Sequence, residues 1–469
     1  MGKLLAILVV LLVAAGAAWH FAGKADPPVI EIVQPTSLVG AIGELDVDIA
    51  TPGGTLTAFD VVLQQGGEPL PLVALAGPDT AADLERRGEN RLRYARSIGR
   101  NDIPSLQAGP LTIVVSATRP VLFGLREVSS TVTRTVEVRL TPPVIGVASR
   151  FHYVNHGGSE MVVYRVQPAD VESGVRVGDL EYPGYPAAGA GIEGADPGLR
   201  VAFFALLWDQ DPRTTPIGLF ARDAVGNEAR ASFDYRVFPK TFRQSRITLN
   251  DRFLQKVVPE ILYNSPQFTV EDPSNLLESY LRINGDLRRI NNATIAELAN
   301  ATVPEILWQG PFQQLVNTAV EAGFADQRTY VYEGREVDRQ VHLGFDLAST
   351  TNAPVLAANS GRVVHAGWLG IYGNCVILDH GMGLQSLYAH LSRIDVAAGD
   401  EVGKAQPLGL SGESGLAGGD HLHFTMLLAG RAVTPIDWWS RQWVEDRVLR
   451  KLREASPAQA VQPASAGGR

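Results

Sequence analysis

The sequence predicts a mainly β, multidomain protein: two tandem β-sandwiches, a helical bridge and a C-terminal β domain. Short runs such as Leu111–Ser116, Thr131–Val138 and Met161–Val166 are rich in β-branched residues and alternate apolar with polar positions, the period of half-buried strands. Two segments open alike, Pro27-Pro-Val-Ile30 and Pro142-Pro-Val-Ile145, which reads as the start of two successive domains. From about Asn250 the period changes, with Leu276, Tyr280, Ile283, Leu287 and Ile290 recurring every three or four residues as on one face of a helix.

Taken in order, residues 1–24 read as a membrane anchor or signal peptide. Leu4 to Ala18 is an unbroken apolar run, followed by Trp19 and Phe21 and flanked by Lys3 and Lys24. A spanning helix needs roughly 20 residues. Ala15-Gly16-Ala17 offers a small-residue cleavage site, whereas the tryptophan and basic flanks favour a retained anchor. Either reading exports the rest of the chain. The two sandwiches then occupy 27–141 and 142–245. The helical linker occupies 250–323, where Asp272-Pro273 predicts an N-cap, Thr294-Ile-Ala-Glu297 predicts a capping box opening a new helix, and Asn284-Gly285 predicts a break or kink. The C-terminal domain covers 324–440. In 441–469, a charged helical stretch gives way to an Ala-, Pro-, Ser- and Gly-rich tail from Ala455 that predicts disorder.

The chemistry is concentrated in the C-terminal domain. Six of the nine histidines lie between 342 and 423, and four of them sit in His342-Leu-Gly-Phe-Asp346, Tyr388-Ala-His390-Leu391 and His421-Leu-His423. Imidazoles with one carboxylate are the donor set of a zinc site that keeps a position open for chemistry. On a strand, residues two or four apart share a face, so 421/423 and 342/346 each predict convergent side chains. His365 and His380 belong to no such phrase and read as structural. No His-Glu-x-x-His occurs, so any general base must be another group. Tyr372, Asn374 and Tyr388 flank these phrases and could reach the site with a polar group, but residues on an alternating strand are more often core.

With those phrases, Gly344-Phe-Asp-Leu-Ala348, Tyr372-Gly-Asn-Cys-Val-Ile-Leu-Asp-His-Gly381 and His421-Leu-His-Phe424, the segment from Phe324 to Trp439 resembles the lysostaphin-type (LytM) zinc metallopeptidases of family 23. The resemblance implies an antiparallel β domain. It implies zinc held by His342, Asp346 and His423, with His390 and His421 as the catalytic pair. It also implies hydrolysis of peptide cross-links in peptidoglycan. Asp420 departs from the family, which usually has proline there. Family members that act as activators of another cell-wall hydrolase typically lack zinc ligands, and all are present here. The phrase Ala221-Arg-Asp-Ala-Val-Gly-Asn227 is similar to the closing hairpin of bacterial immunoglobulin-like domains, implying that both sandwiches are of that kind, as spacers or docking surfaces for cell-envelope proteins.

A net charge of −9 argues against a nucleic-acid partner, which draws on clustered Lys and Arg. The lone Cys375 excludes any disulfide within the chain. Export with such a domain implies a periplasmic protein held at the inner membrane. A helical segment just upstream of the site could also cover its cleft.

Overall fold

The computed structural model describes residues 2–77 and 79–456, and these are predominantly β. They form two compact units: Met1–Pro142 with Arg222–Glu228, and Pro143–Ala221 with Ala229 onward. The expectation of disorder after Ala455 concerns residues of which all but Ala455 and Ser456 lie outside the described part.

The first unit begins with the helix Gly2–Ala22, none of whose residues is buried. Beyond it stand two sheets. One orders Val29–Gln34, Glu44–Ala50, Arg91–Ser97 and Glu85–Gly88; the other orders Leu38–Val39, Arg126–Val138, Gly109–Val121, Ala58–Gln65 and Glu68–Ala76. The predicted alternation is realised: Val47, Ile49, Phe59, Val61, Ile113 and Val115 point into one shared core while their neighbours face out.

In the second unit, sheets built on Ser159–Gln167, Leu199–Ala205 and Glu172–Val177 share a core with the C-terminal β domain. Phe203 packs 5.7 Å from Trp438, ring to ring. The stretch after 441 is no projecting tail. It is helical with one wide π-turn at Val444–Leu449, and Val444, Val448 and Lys451 are buried. Lys451 Nζ donates to Glu160 Oε1 at 2.8 Å and to the Met161 carbonyl at 2.7 Å.

The helical segment differs from its expected punctuation. Asn250 caps Asp251–Asn264 by accepting from the Phe253 amide, and Leu254, Val257, Val258 and Ile261 are its buried face. The next helix starts at Leu276 under Asn275, which accepts from Glu278 N, while Asp272 closes a turn onto Ser274. Asn284-Gly285 does not end the helix but interrupts its α-helical pattern. The chain widens into a π-turn at Ile283–Leu287, because buried Asn284 donates to Asp338 Oδ2 and accepts from Arg288, so its side chain does not compete with the backbone. Thr294 starts no helix; it lies inside Arg288–Leu298 and its hydroxyl donates back to Ile290 O. Tyr280, Ile283 and Leu287 pack with Tyr330 and Ile371, so these helices lie against the C-terminal β domain.

That domain begins earlier than 324. Gln244–Leu249 pairs in parallel with Asp326–Tyr332, itself antiparallel to Arg335–His342. Ala319–Ala322 forms the edge of the main sheet, followed by Phe345–Ala348, Leu422–Leu428, Leu384–Leu391, Asn374–Asp379, Gly361–Trp368 and Glu401–Val402.

Candidate metal centre

Three strands deliver the convergent residues. His342 ends the strand Arg335–His342, and Leu343-Gly344 carry the chain into Phe345–Ala348, where Asp346 sits. His342 and Asp346 thus come from consecutive strands in two sheets, not from one face of a single strand as the four-residue spacing suggested. Asp346 is the cross-strand partner of His423 on Leu422–Leu428, which places their side chains on one face. Gly344 is required between them: a Cβ there would lie 2.6 Å from the His423 ring and 2.5 Å from Thr425 Oγ1.

His390 is aimed by a local irregularity. The pairing of Asn374–Asp379 with Leu384–Leu391 slips by one residue between Tyr388 and Leu391, a β-bulge, and His390 adopts φ +63°. Bulges and left-handed non-glycine residues are unfavourable locally and recur where a side chain must be re-aimed. His421 sits just before its strand, bridged to Gly412. The His390 ring lies 4.9 Å from that of His421 and 5.8 Å from that of His423.

Hydrogen bonds outside the cluster set the tautomers. His342 Nδ1 lies 3.0 Å from Gly323 O, His390 Nδ1 2.8 Å from Ser414 O, and His421 Nδ1 2.8 Å from Gly419 O. Each is an N–H donating to a carbonyl, which leaves a lone pair on Nε2. His423 is reversed. The Thr425 hydroxyl donates to Leu343 O and can only accept from His423 Nε2 at 3.0 Å, so the lone pair is on Nδ1.

Those lone pairs meet. His342 Nε2, His423 Nδ1 and Asp346 Oδ1 form a triangle with edges of 2.9, 3.0 and 3.0 Å. Three acceptors at that spacing are a group that could hold a metal ion. A tetrahedral ion with bonds of about 2.0–2.1 Å sets its ligand atoms about 3.3 Å apart, so the residues fit with a small outward adjustment. His421 Nε2 approaches Asp346 Oδ1 at 3.5 Å. Burial would raise the Asp346 carboxyl, but His342, His421 and His423 hold it well below the usual carboxylate range. Burial pushes His423 down to about 4 and, with the nearby His421 and His423, pushes His390 well down. Burial alone would lower His421, but the Asp346 carboxylate, the Gly419 carbonyl and Glu321 together displace it upward.

Two polar neighbours escaped the sequence reading. Arg328 donates to the second oxygen, Asp346 Oδ2, at 3.0 Å, and Thr425 orients His423. Neither carries a local signal, because both act through strand register. Asp420 has a role: its oxygens accept from Ser411 Oγ at 2.6 Å and from Asn352 N at 2.9 Å, fixing the loop before His421. The remaining flanking residues are structural. Tyr388 OH accepts from Ala358 N, Asn374 donates to Leu391 O, and His380 is fully buried between Ser360 O and Ser386 Oγ. His365 is half-buried in Gly361–Trp368. Tyr372 lies nearer, its ring 5.8 Å from that of His423 and its hydroxyl donating to Asn292.

The cluster opens onto a cleft of about 1340 Å³. The upstream helices form one wall through Asn250, Phe253, Lys256 and Arg288, and Lys256 is bonded across to Glu413 Oε2 at 2.6 Å.

Residues 340–435 of the C-terminal domain match the model of Peptidase family M23. Its relatives carry names of both enzymes and activators. Over 97 residues the chain is 36% identical to the DD-carboxypeptidase/endopeptidase Mpg of Neisseria meningitidis, covering 21% of this chain and 22% of that protein. It is 38% identical over 92 residues to the peptidoglycan DD-endopeptidase ShyA of Vibrio cholerae, covering 20% and 21%. It is 37% identical over 98 residues to the murein hydrolase activator EnvC of Escherichia coli, covering 21% and 23%. The chain therefore spans under a quarter of the length of each of these relatives.

Proposed function

We propose that this protein is a zinc-dependent endopeptidase that hydrolyses peptide cross-links of peptidoglycan. The observation that carries this reading is the convergence of three acceptor atoms, fixed by outside hydrogen bonds, with two further imidazoles beside them in an open cleft. His342, Asp346 and His423 would hold the zinc. When bound, it supplies Lewis acidity, lowering the pKa of a water towards about 7 and polarising a scissile carbonyl. His390 and His421, their Nδ1 protons committed to Ser414 and Gly419 carbonyls, present Nε2 to take a proton from the attacking water, pass one to the leaving amine, or stabilise the oxyanion. Arg328 keeps Asp346 Oδ2 engaged so that Oδ1 faces the histidines. The names of ShyA and Mpg support a D,D cross-link as the bond cut.

The similarity to EnvC supports a second reading, a non-catalytic activator of another wall hydrolase. Purified sacculi separate the two. The enzyme releases muropeptides that mass spectrometry identifies; His342→Ala abolishes that release and His390→Ala strongly lowers it, and unchanged hydrolysis in both variants would sink the enzyme.

The helix Gly2–Ala22 is long and apolar enough to cross a membrane. It supports an inner-membrane anchor with the catalytic domain in the periplasm. The two β regions upstream then serve as immunoglobulin-like spacers or as docking surfaces for envelope proteins.

A further inference from the structure

The first unit ends a long hairpin in an unusual way. Gly109–Val121 and Arg126–Val138 pair along their whole length, from Gly109↔Val138 to Val121↔Arg126, and are joined by Leu122-Phe123-Gly124-Leu125. Exposed turns are normally built from Gly, Asn, Asp, Pro and Ser, as the same unit shows at Gly66-Gly67, both at positive φ. Here three of four turn residues are large and apolar. Leu122 and Phe123 adopt φ +52° and +56°, a region that bulky side chains avoid. Phe123 is 102% exposed and Leu125 70%.

The neighbour of this tip is the end of the N-terminal helix. Arg126 lies with its guanidinium 5.4 Å from the Trp19 ring centre and donates to the Trp19 carbonyl. It also packs on Gly23, where a Cβ would collide with it. Arg119, two residues further down the hairpin, donates to Asp26 O at 2.8 Å. The contacts thus step from Asp26 at Arg119 to Trp19 at Arg126, so the tip beyond Arg126 continues towards the apolar body of Gly2–Ala22.

We propose that the Leu122–Leu125 tip is a second membrane contact, inserting into the lipid–water interface of a phospholipid bilayer beside the N-terminal helix. The proposal rests on the reading of Gly2–Ala22 as an anchor. A helix apolar on all sides with no buried residue has the bilayer as its solvent. Trp19 and Lys24 mark the level at which such a helix leaves it. At that level Arg119, Arg126 and Lys24 form a basic collar suited to phosphate headgroups, and Phe123 and Leu125 project to acyl-chain depth. That is the division of an interfacial anchor into apolar and basic faces. A turn that pays in backbone conformation to expose Phe123 makes sense when the side chain is not in water. Two attachment points would fix the orientation of the first unit on the membrane.

The test uses the full chain in phosphatidylcholine/phosphatidylglycerol vesicles, with an environment-sensitive nitrobenzoxadiazole label on one introduced cysteine at a time. Cys375 is fully buried and stays unlabelled. The expected result is blue-shifted emission, quenched by shallow doxyl lipids, at Leu125→Cys and Phe123→Cys, with Gly66→Cys reading as water. Adding Phe123→Asp should return the Leu125 label to water and leave a Leu11→Cys label quenched. Tip labels in water while the Leu11 label is quenched would overturn the tip contact and leave the anchor standing. A Leu11 label that is also in water would overturn both.

Discussion

Two buried clusters of ionisable groups in the second unit differ in what their partners leave over. In the first, Glu160 Oε1 accepts from Lys451 and from Met161 N, Oε2 accepts from Tyr153 N, and nearby Asp437 accepts from Asn155 and Ser159 N. Each carboxylate oxygen there has a protein donor, and the cluster ties the C-terminal helix to the sheet at Ser159–Gln167. In the second, His342, Asp346 and His423 turn acceptors towards one another, with donors spent on carbonyls and Thr425 outside. The closed cluster serves the fold. The open one presents a set of acceptors that could hold a cation, and it is the one facing a cleft. Burial of charge alone therefore does not mark a site; the direction of the uncommitted lone pairs does.

Breaking the open cluster should remove function without removing the fold. His342→Ala should abolish hydrolysis of sacculi while thermal unfolding stays cooperative. His390→Ala, outside the triangle, should lower the rate by about 10²–10⁴-fold, the usual contribution of acid–base catalysis, with metal content unchanged. Breaking the closed cluster should do the reverse. Lys451→Met removes the ammonium at Glu160 Oε1, leaving only Arg447 at 3.9 Å as a cationic partner, and should cost about 3 kcal/mol in denaturant unfolding, with a substantial part recovered in Lys451→Met/Glu160→Leu.

The closed cluster also predicts a pH dependence. Burial raises the Asp437 carboxyl to about 6. A carboxyl whose folded value lies above its unfolded one holds its proton more tightly when folded. The stabilisation is full below about pH 4 and is lost as pH rises through 6, by about 2–3 kcal/mol. Asp437→Asn should flatten that slope. The smallest effect sharpens the open cluster: Arg328→Met should weaken zinc binding about 10–100-fold, the range for groups that orient a ligand, read by chelator competition.

Much of this contrast was legible in sequence, for reasons that differ by residue. His421-Leu-His423 and Tyr388-Ala-His390 stand out because histidine is rare elsewhere in the chain. The spacing of His342 and Asp346 suggests one strand, although a Gly344 turn between two sheets is what joins them. Arg328 and Thr425 were silent because their roles depend on which strands become neighbours. The capping signals at Asp272 and Thr294 failed for a related reason: the buried contacts of Tyr280, Ile283 and Leu287 hold the helix in register and override local punctuation. The alternating strands of the upstream β regions followed from sequence, but the sharing of one core between the β region at 143–221 and the C-terminal domain, through Phe203 and Trp438, did not.

In the proposed site three residues hold a metal and two neighbours move protons. Zinc content of the purified chain, measured by inductively coupled plasma mass spectrometry, tests it most directly. One zinc per chain in the wild type, His390→Ala and His421→Ala, with loss in His342→Ala, Asp346→Ala and His423→Ala, is the expected result. Full zinc in the latter three, or loss in His390→Ala, would contradict it.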